Sequence, residues 1–389
     1  MYKPTYTILR SESLVSPPIG NLGGALESVA LQEVSIEEAQ LGLADRNDLR
    51  RDPRTKAMAI TMPMKLIEPV DKEDAAPAAA NTWGIEAVNA HNSPFDGSGV
   101  TVAVLDTGID LTHPAFAGVD IVRMNFTTES DDDLHGHGTH CAGTIFGQDV
   151  GGTRIGIARN VQRALIGKVL GQGGGSSTSI SQAINWAIAG GAHVISMSLG
   201  IDFPGFVDYL VNQQHLPIPA ATSIALQGYR SNVNLFTELS RYVAANNAFA
   251  QGTVIVAASG NESERPEYEI AVAPPAASTG MIAVGALGQS NDGLTVASFS
   301  NNQVDVSAPG VGVVSARLGG GLVGMSGTSM ATPHVAGIAA LWANRQLAMT
   351  GNVNQLTLLA QVIASGTMAP LAPGSEAEDV GTGIVQAPL

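Results

Sequence analysis

Four groups of residues in this chain have the types and spacing that nucleophilic hydrolysis uses. Asp106-Thr107-Gly108 closes the apolar run VTVAVLD (100 to 106), so a carboxylate stands at the carboxyl end of an expected strand. By itself an Asp before a Gly is also ordinary turn chemistry. His135-Gly136-His137-Gly138-Thr139-His140-Cys141 sets three imidazoles among small residues that let another backbone approach, and His is the usual general base near neutral pH. The same histidines, following Asp131, Asp132 and Asp133, have metal-ligand chemistry, but the Glu of a His-Glu-x-x-His helix is missing and no metal is expected. Asn261 follows the run TVIVAAS (253 to 259) in a Gly turn, where its amide would face the same crevice as Asp106. Ser329 precedes Pro333, which is expected in the first turn of a helix continuing through IAALWANRQLAM. Ser329 would then lie at the helix N-terminus, where unpaired N–H groups favour an oxyanion, although a plain N-cap explains such a serine too.

The elements that must position these groups are legible as periodicity. VTVAVLD, AHVISMSL (192 to 199), TVIVAAS and MIAVGAL (281 to 287) are near-continuous apolar runs, separated by helical segments such as SISQAINWAIAG and LFTELSRYVAANNAFAQ. Strands apolar on both faces and separated by helices predict an α/β fold, a parallel sheet covered by helices on both faces, with ligands beyond the strands' carboxyl ends. Before Trp83 the chain is shorter-patterned and more charged. There YTILRS, ALESVALQEV and KAMAITMPMKLI read as strands and SIEEAQLGLADRND as a helix with Ser35 as N-cap, making a small N-terminal α+β unit over residues 1–70. Residues 71–82 read as a Pro- and Ala-rich linker, and residues 83–389 as the main domain.

Composition narrows the function classes. With 19 Lys+Arg against 34 Asp+Glu in 389 residues the net charge is −15, which argues against nucleic acid or an anionic membrane as partner. Only 14% of residues are charged and 45 are Gly, which indicates a large buried fraction and many tight turns. No apolar run is long enough to span a bilayer. The single cysteine, Cys141, admits no intramolecular disulfide and is read as a buried free thiol, one helical turn after His137. The opening MYKPTYTILRSESLVSPPIG lacks the apolar stretch of a secretory signal, so a cytoplasmic location is expected as written, with unconventional export left open.

The segments VAVLDTGID, HGHGTHCAG, AASGNE and GTSMATPHVAG resemble the four signature blocks of the subtilisin-like serine proteases, in that family's chain order Asp, His, Asn, Ser. SMSLG (196 to 200) resembles the family's substrate-binding strand, SFSN and VDVSAPG match as well, and the likeness runs from about Trp83 to GTGIVQAP. The resemblance implies a serine endopeptidase working through an acyl-enzyme on polypeptide substrates. Ser329 would be nucleophile, His137 base and then acid, Asp106 the orienter of the imidazole, and Asn261 with the Ser329 N–H the oxyanion hole. Ser198, Leu199, Gly200, Ala258, Ser259 and Gly260 would bind substrate, while His140 matches a non-catalytic position and His135 matches none. Two other readings use the same residues. A transpeptidase or macrocyclase would resolve the acyl-enzyme with an amine, and a noncatalytic peptide-binding protein would be expected to have lost a triad member, which this chain has not.

Residues 1–70 resemble the family's pro-region, implying an intramolecular inhibitor and folding helper whose strand MKLIEPV lies in the substrate cleft; a plain accessory domain is the alternative. No cofactor is expected. The family's strong calcium site takes a carboxylate where this chain has Ala115, in His113-Pro114-Ala115-Phe116, so that site is expected to be absent. Residues 203–234 are extra relative to compact members and follow Ser198-Leu199-Gly200 closely.

Overall fold

The apolar runs become the centre of an eight-stranded sheet in the computed structural model, which describes residues 3–11, 34–75, 80–246 and 251–389. The N-terminal unit contains β1 (Thr5–Ser11), β2 (Val34–Gln40), α1 (Leu43–Arg51), β3 (Thr55–Ile60), β4 (Pro63–Leu66) and β5 (Asp71–Ala75). The main domain begins with α2 (Trp83–Ala87), β6 (Thr101–Asp106), β7 (Asp120–Asn125), α3 (His137–Phe146), β8 (Arg163–Lys168), β9 (Gly175–Ser176) and α4 (Ser177–Ala189). It continues through β10 (Val194–Met197), β11 (Leu199–Ile201), α5 (Phe203–Asp208), α6 (Ile218–Asn246), β12 (Val254–Ala258), β13 (Met281–Ser290) and β14 (Gly293–Val296). It closes with β15 (Val306–Pro309), β16 (Val313–Ala316), β17 (Leu322–Ser326), α7 (Thr328–Thr350), α8 (Gln355–Ala364) and α9 (Ala377–Val380).

The large sheet runs β14-β13-β12-β10-β6-β8-β7, with β15 also on β13, and every pairing is parallel except the β13–β14 hairpin. Alternation along the strands sends side chains to two separate cores. Val102, Val104, Val194, Val254, Val256 and Val284 pack with Cys141, Ile145, Val335 and Ala339 of α3 and α7. Ala103, Leu105, Ile195, Met197, Ile255 and Ala257 pack on the other face with Ile180, Ile184, Phe236 and Leu239 of α4 and α6. Both faces are thus covered, which is why the strand sequences carry almost no polar residue. Among the described residues no helix is long and apolar enough to cross a membrane.

The N-terminal unit differs from its sequence reading. Residues 34–40, expected to open a helix at Ser35, form β2, paired antiparallel with β1 so that Ile36 faces Leu9, and the helix starts only at Leu43 with Gly42 as N-cap. Ladder pairing with β1 outweighs the local helical pattern of VSIEEAQ. The expected strand ALESVALQEV lies outside the described residues except for Val34. KAMAITMPMKLI divides into β3 and β4, and residues 71–75, expected in a linker, form β5 on β17. The stretch 203–234 supplies α5, a π-helical turn at Tyr209–Gln213 and the first half of α6. There Asn232 Nδ2 donates to the Ile60 carbonyl at 2.7 Å and the Ile60 N–H donates to Ser231 Oγ at 3.3 Å, fastening β3 to the long helix.

Candidate active site

Asp106 is the last residue of β6, and its carboxylate is fixed before any partner arrives, because the Thr107 N–H donates to Oδ1 at 2.7 Å. His137 is the first residue of α3, with Gly136 as N-cap in the left-handed region (φ 92°). The end of β6 and the start of α3 meet because Gly138 carries no side chain: a Cβ there would lie 2.2 Å from the Gly108 carbonyl oxygen. The loop before the helix is tied down by Asp133, which accepts from Thr107 Oγ1, the His135, Gly136 and Thr139 N–H groups and Thr139 Oγ1. Burial opposes ionisation of Asp133, yet these bonds hold its carboxyl below the ordinary range. In the sequence Asp133 reads only as a potential metal ligand. Its spacing before a Gly-containing helix start was the available sign of a loop tie.

His137 Nδ1 lies 2.8 Å from Asp106 Oδ1, and both side chains are buried. Burial alone would drive the imidazole's pKa down, as it does for His140, lowered to about 3, and His334, lowered to about 4. At His137 burial is again the largest single influence, but the Asp106 carboxylate and, to a smaller extent, Cys141 together overcome it and raise the imidazole well above 6.5. Its Nε2 is buried without a protein partner.

The third member of this buried set corrects the sequence expectation. Asp106, His137 and Cys141 present an oxygen, a nitrogen and a sulfur all within 4.8 Å of one another, the only such trio of potential ligands among the described residues. Cys141 Sγ is 3.8 Å from His137 Nδ1, as one helical turn dictates, and 3.5 Å from the Ser329 carbonyl oxygen. The Ser329 hydroxyl instead donates to the Ile67 carbonyl at 2.6 Å. The expected relay from Asp106 through His137 to a nucleophilic Ser329 is therefore not the arrangement present: the pair is completed by sulfur, which points to the thiol rather than the hydroxyl. Burial pushes the Cys141 thiol above its ordinary value, the His137 charge pulls it back only partly, and the net effect keeps the proton on sulfur. The sulfur also approaches the ring nitrogen that Asp106 already occupies. A metal held by the trio would need that thiol deprotonated.

Pro333 explains why the thiol meets Ser329 at all. It is the sixth residue of α7 rather than part of its first turn, which corrects its expected place, while Ser329, second residue of the helix after the N-cap Gly327, does stand at the N-terminus. Lacking an N–H, Pro333 leaves the Ser329 carbonyl without its helical donor. Ser198 Oγ, at 3.1 Å, and Cys141 Sγ take up that oxygen.

A strand of the chain itself crosses this region. β4 pairs antiparallel with β11, Leu66 opposite Leu199, Lys65 opposite Gly200 and Met64 opposite Ile201, and the Ile67 N–H donates to the Ser198 carbonyl at 3.4 Å. On its other edge β4 pairs with β9. Beyond Ile67, Asn261 Nδ2 donates to the Glu68 carbonyl at 2.9 Å, while Asn261 Oδ1 accepts from the N–H and hydroxyl of Thr328. The Val70 N–H reaches the Ser326 carbonyl and β5 follows on β17. Of the expected substrate-binding residues, Ser198, Leu199 and Gly200 lie along this strand. Ala258 ends β12, and Ser259 and Gly260 form the turn behind Asn261, bonded to Asn301 and Thr328 rather than to β4. Ala115 is buried beside Phe116, and Gln148 N–H donates to its carbonyl. His135, unassigned by sequence, places Nε2 3.3 Å from the Glu68 carboxylate.

A mainly parallel sheet covered on both faces, with an Asp–His pair at a strand's carboxyl end and an extended chain laid across it, defines a hydrolase of the peptide-bond class. Residues 97–381 match the model of the subtilase family, and the chain belongs to that family of hydrolases acting on peptide bonds. It is 31% identical over 324 residues to a thermostable alkaline protease of Halalkalibacterium halodurans, covering 82% of this chain and 76% of that protein. It is 37% identical over 279 residues to subtilisin Savinase of Lederbergia lenta, covering 68% and 87%. With an alkaline protease of Alkalihalobacillus alcalophilus it shares 37% over 291 residues, 71% of this chain and 65% of that protein.

Proposed function

We propose that the chain hydrolyses peptide bonds in extended polypeptides laid antiparallel on β11, and that its own segment at residues 63–68 fills that place as an intramolecular inhibitor. The observation that carries the reading is the strand β4: it lies between β11 and β9 of the main domain by backbone pairing, and the chain after it delivers the Ile67 and Glu68 carbonyls to Ser329 and Asn261. Backbone pairing on a sheet edge accepts many sequences, as a peptide substrate requires. His137 supplies acid–base chemistry with its ring oriented by Asp106. Because that carboxylate raises the imidazole above its ordinary value, the base form, and activity with it, should be favoured toward higher pH. Relatives named alkaline proteases fit this expectation.

The test is hydrolysis of casein by the full chain and by His137→Gln, with labelling by a thiol alkylator and a fluorophosphonate followed by peptide mapping. Loss of hydrolysis by more than a hundredfold in His137→Gln supports the reading. Hydrolysis within tenfold of wild type overturns it. The labelled residue, Cys141 or another, identifies the attacking atom directly. A lag before casein hydrolysis that lengthens with added peptide of sequence 60–70 is expected if the segment inhibits; absence of both lag and inhibition would make the N-terminal unit an accessory domain.

A further inference from the structure

Lys65 stands third on the amino side of the Ile67–Glu68 bond, the bond whose carbonyl meets Ser329. Its ammonium is held from two sides, 3.4 Å from Asp202 Oδ1 and 3.5 Å from Glu262 Oε1. The two carboxylates come from separate loops, and each is positioned by the main domain rather than by Lys65. Asp202 is the N-cap of α5, accepting from the Gly205 N–H at 3.2 Å, while its own N–H donates to the Pro63 carbonyl at 3.1 Å. Glu262 turns its other oxygen, Oε2, to Asn301 Nδ2 at 2.8 Å, and its N–H donates to Asn301 Oδ1 at 3.1 Å. Asn301 is itself fully buried and donates to the Ser259 carbonyl. Gly260 is required for this fold-back, since a Cβ there would lie 2.4 Å from Glu262 Oε2.

We propose that Asp202 and Glu262 form a specificity site that selects polypeptides with Lys or Arg at the residue that pairs with Gly200 of β11. Resting on the reading that β4 lies where substrate lies, it names the substrate class for that cleft. Two carboxylates anchored before the ligand arrives lose little freedom on meeting a cation, so their attraction is not spent on ordering themselves. A second anion on the opposite side discriminates against Glu at this position by repulsion as well as favouring Lys by attraction. All three side chains are partly exposed, 31–39%, so the preference is moderate and sensitive to salt.

The experiment compares kcat/KM of the full chain on fluorogenic peptides of sequence MXLIE with X as Lys, Gln or Glu, in low salt and in 0.5 M NaCl, with casein hydrolysis run beside them. Wild type is expected to favour Lys over Gln by roughly fivefold in low salt, less in high salt, with Glu poorest. In Asp202→Asn combined with Glu262→Gln, which keep the cap and the Asn301 contact, the Lys-to-Gln ratio should fall toward one. Charge inversion by Glu262→Lys should move the preference toward Glu. A Lys-to-Gln ratio below twofold in wild type, or one that the double variant leaves unchanged, overturns the site while peptide hydrolysis itself stands. If neither casein nor any peptide is cleaved, the proposed function fails, and this site fails with it.

Discussion

Replacing Asp106 with Asn removes the charge beside His137 while keeping the side chain's shape. The protein contains its own references for what should follow. His140 and His334 are buried as completely as His137 but face no carboxylate, and burial lowers them to about 3 and about 4. His137 in Asp106→Asn should therefore fall well below its wild-type value, because burial then acts without the carboxylate that opposes it. Stability follows with opposite slopes. In the wild type the raised His137 value contributes stability that is fully present below about 6.5 and is lost as pH rises through the folded value. In the variant, with burial lowering the ring below its unfolded value, the unfolded chain binds the proton better, so stability falls as pH drops below about 6.5, and the gap between the two proteins widens toward acid. Titration of the ring signals in histidine-labelled protein, with His137 identified by its loss in His137→Gln, measures the first effect; urea midpoints at pH 5 and pH 9 measure the second. If His137 in Asp106→Asn still titrates above 6.5, Asp106 is not what holds its proton, and the account of the buried pair is wrong.

Three further outcomes follow from packing. Asn232→Leu leaves the Ile60 carbonyl without its buried donor and should cost about 1–3 kcal/mol, read as a lower urea midpoint with an unchanged slope. Cys141, buried and with its thiol raised by burial, should be alkylated by iodoacetamide at pH 8 more slowly in the native chain than in denaturant, and faster in the native chain as pH rises, as intact mass will show. With Ala115 where the resembled family's calcium site takes a carboxylate, millimolar calcium should raise the melting midpoint over chelator by no more than a degree or two. A site filled at a hundred times its Kd would add about 2.7 kcal/mol and a clearly larger shift.

The sequence by itself determined the sheet, because strands buried on both faces must be nearly continuous apolar runs and the helices between them must carry apolar stripes. It also placed Asp106, His137 and Asn261 at strand ends and helix starts, where local chemistry marks them, and the helical spacing of four already put Cys141 beside His137. What it misplaced was decided at long range. Residues 34–40 carry a helical pattern but become β2 because β1 offers a ladder. The Ser329 hydroxyl is claimed by Ile67, 262 residues away in sequence, and its carbonyl is opened to Ser198 and Cys141 by a proline one turn further along α7. Lys65, Asp202 and Glu262 share no motif and meet only because β4, the start of α5 and the turn at Asn261 converge on one edge of the fold. Periodicity and capping report what each segment does with its own neighbours. Which hydroxyl, thiol or carboxylate finds which partner depends on packing between segments, and that information exists only once the chain has closed on itself.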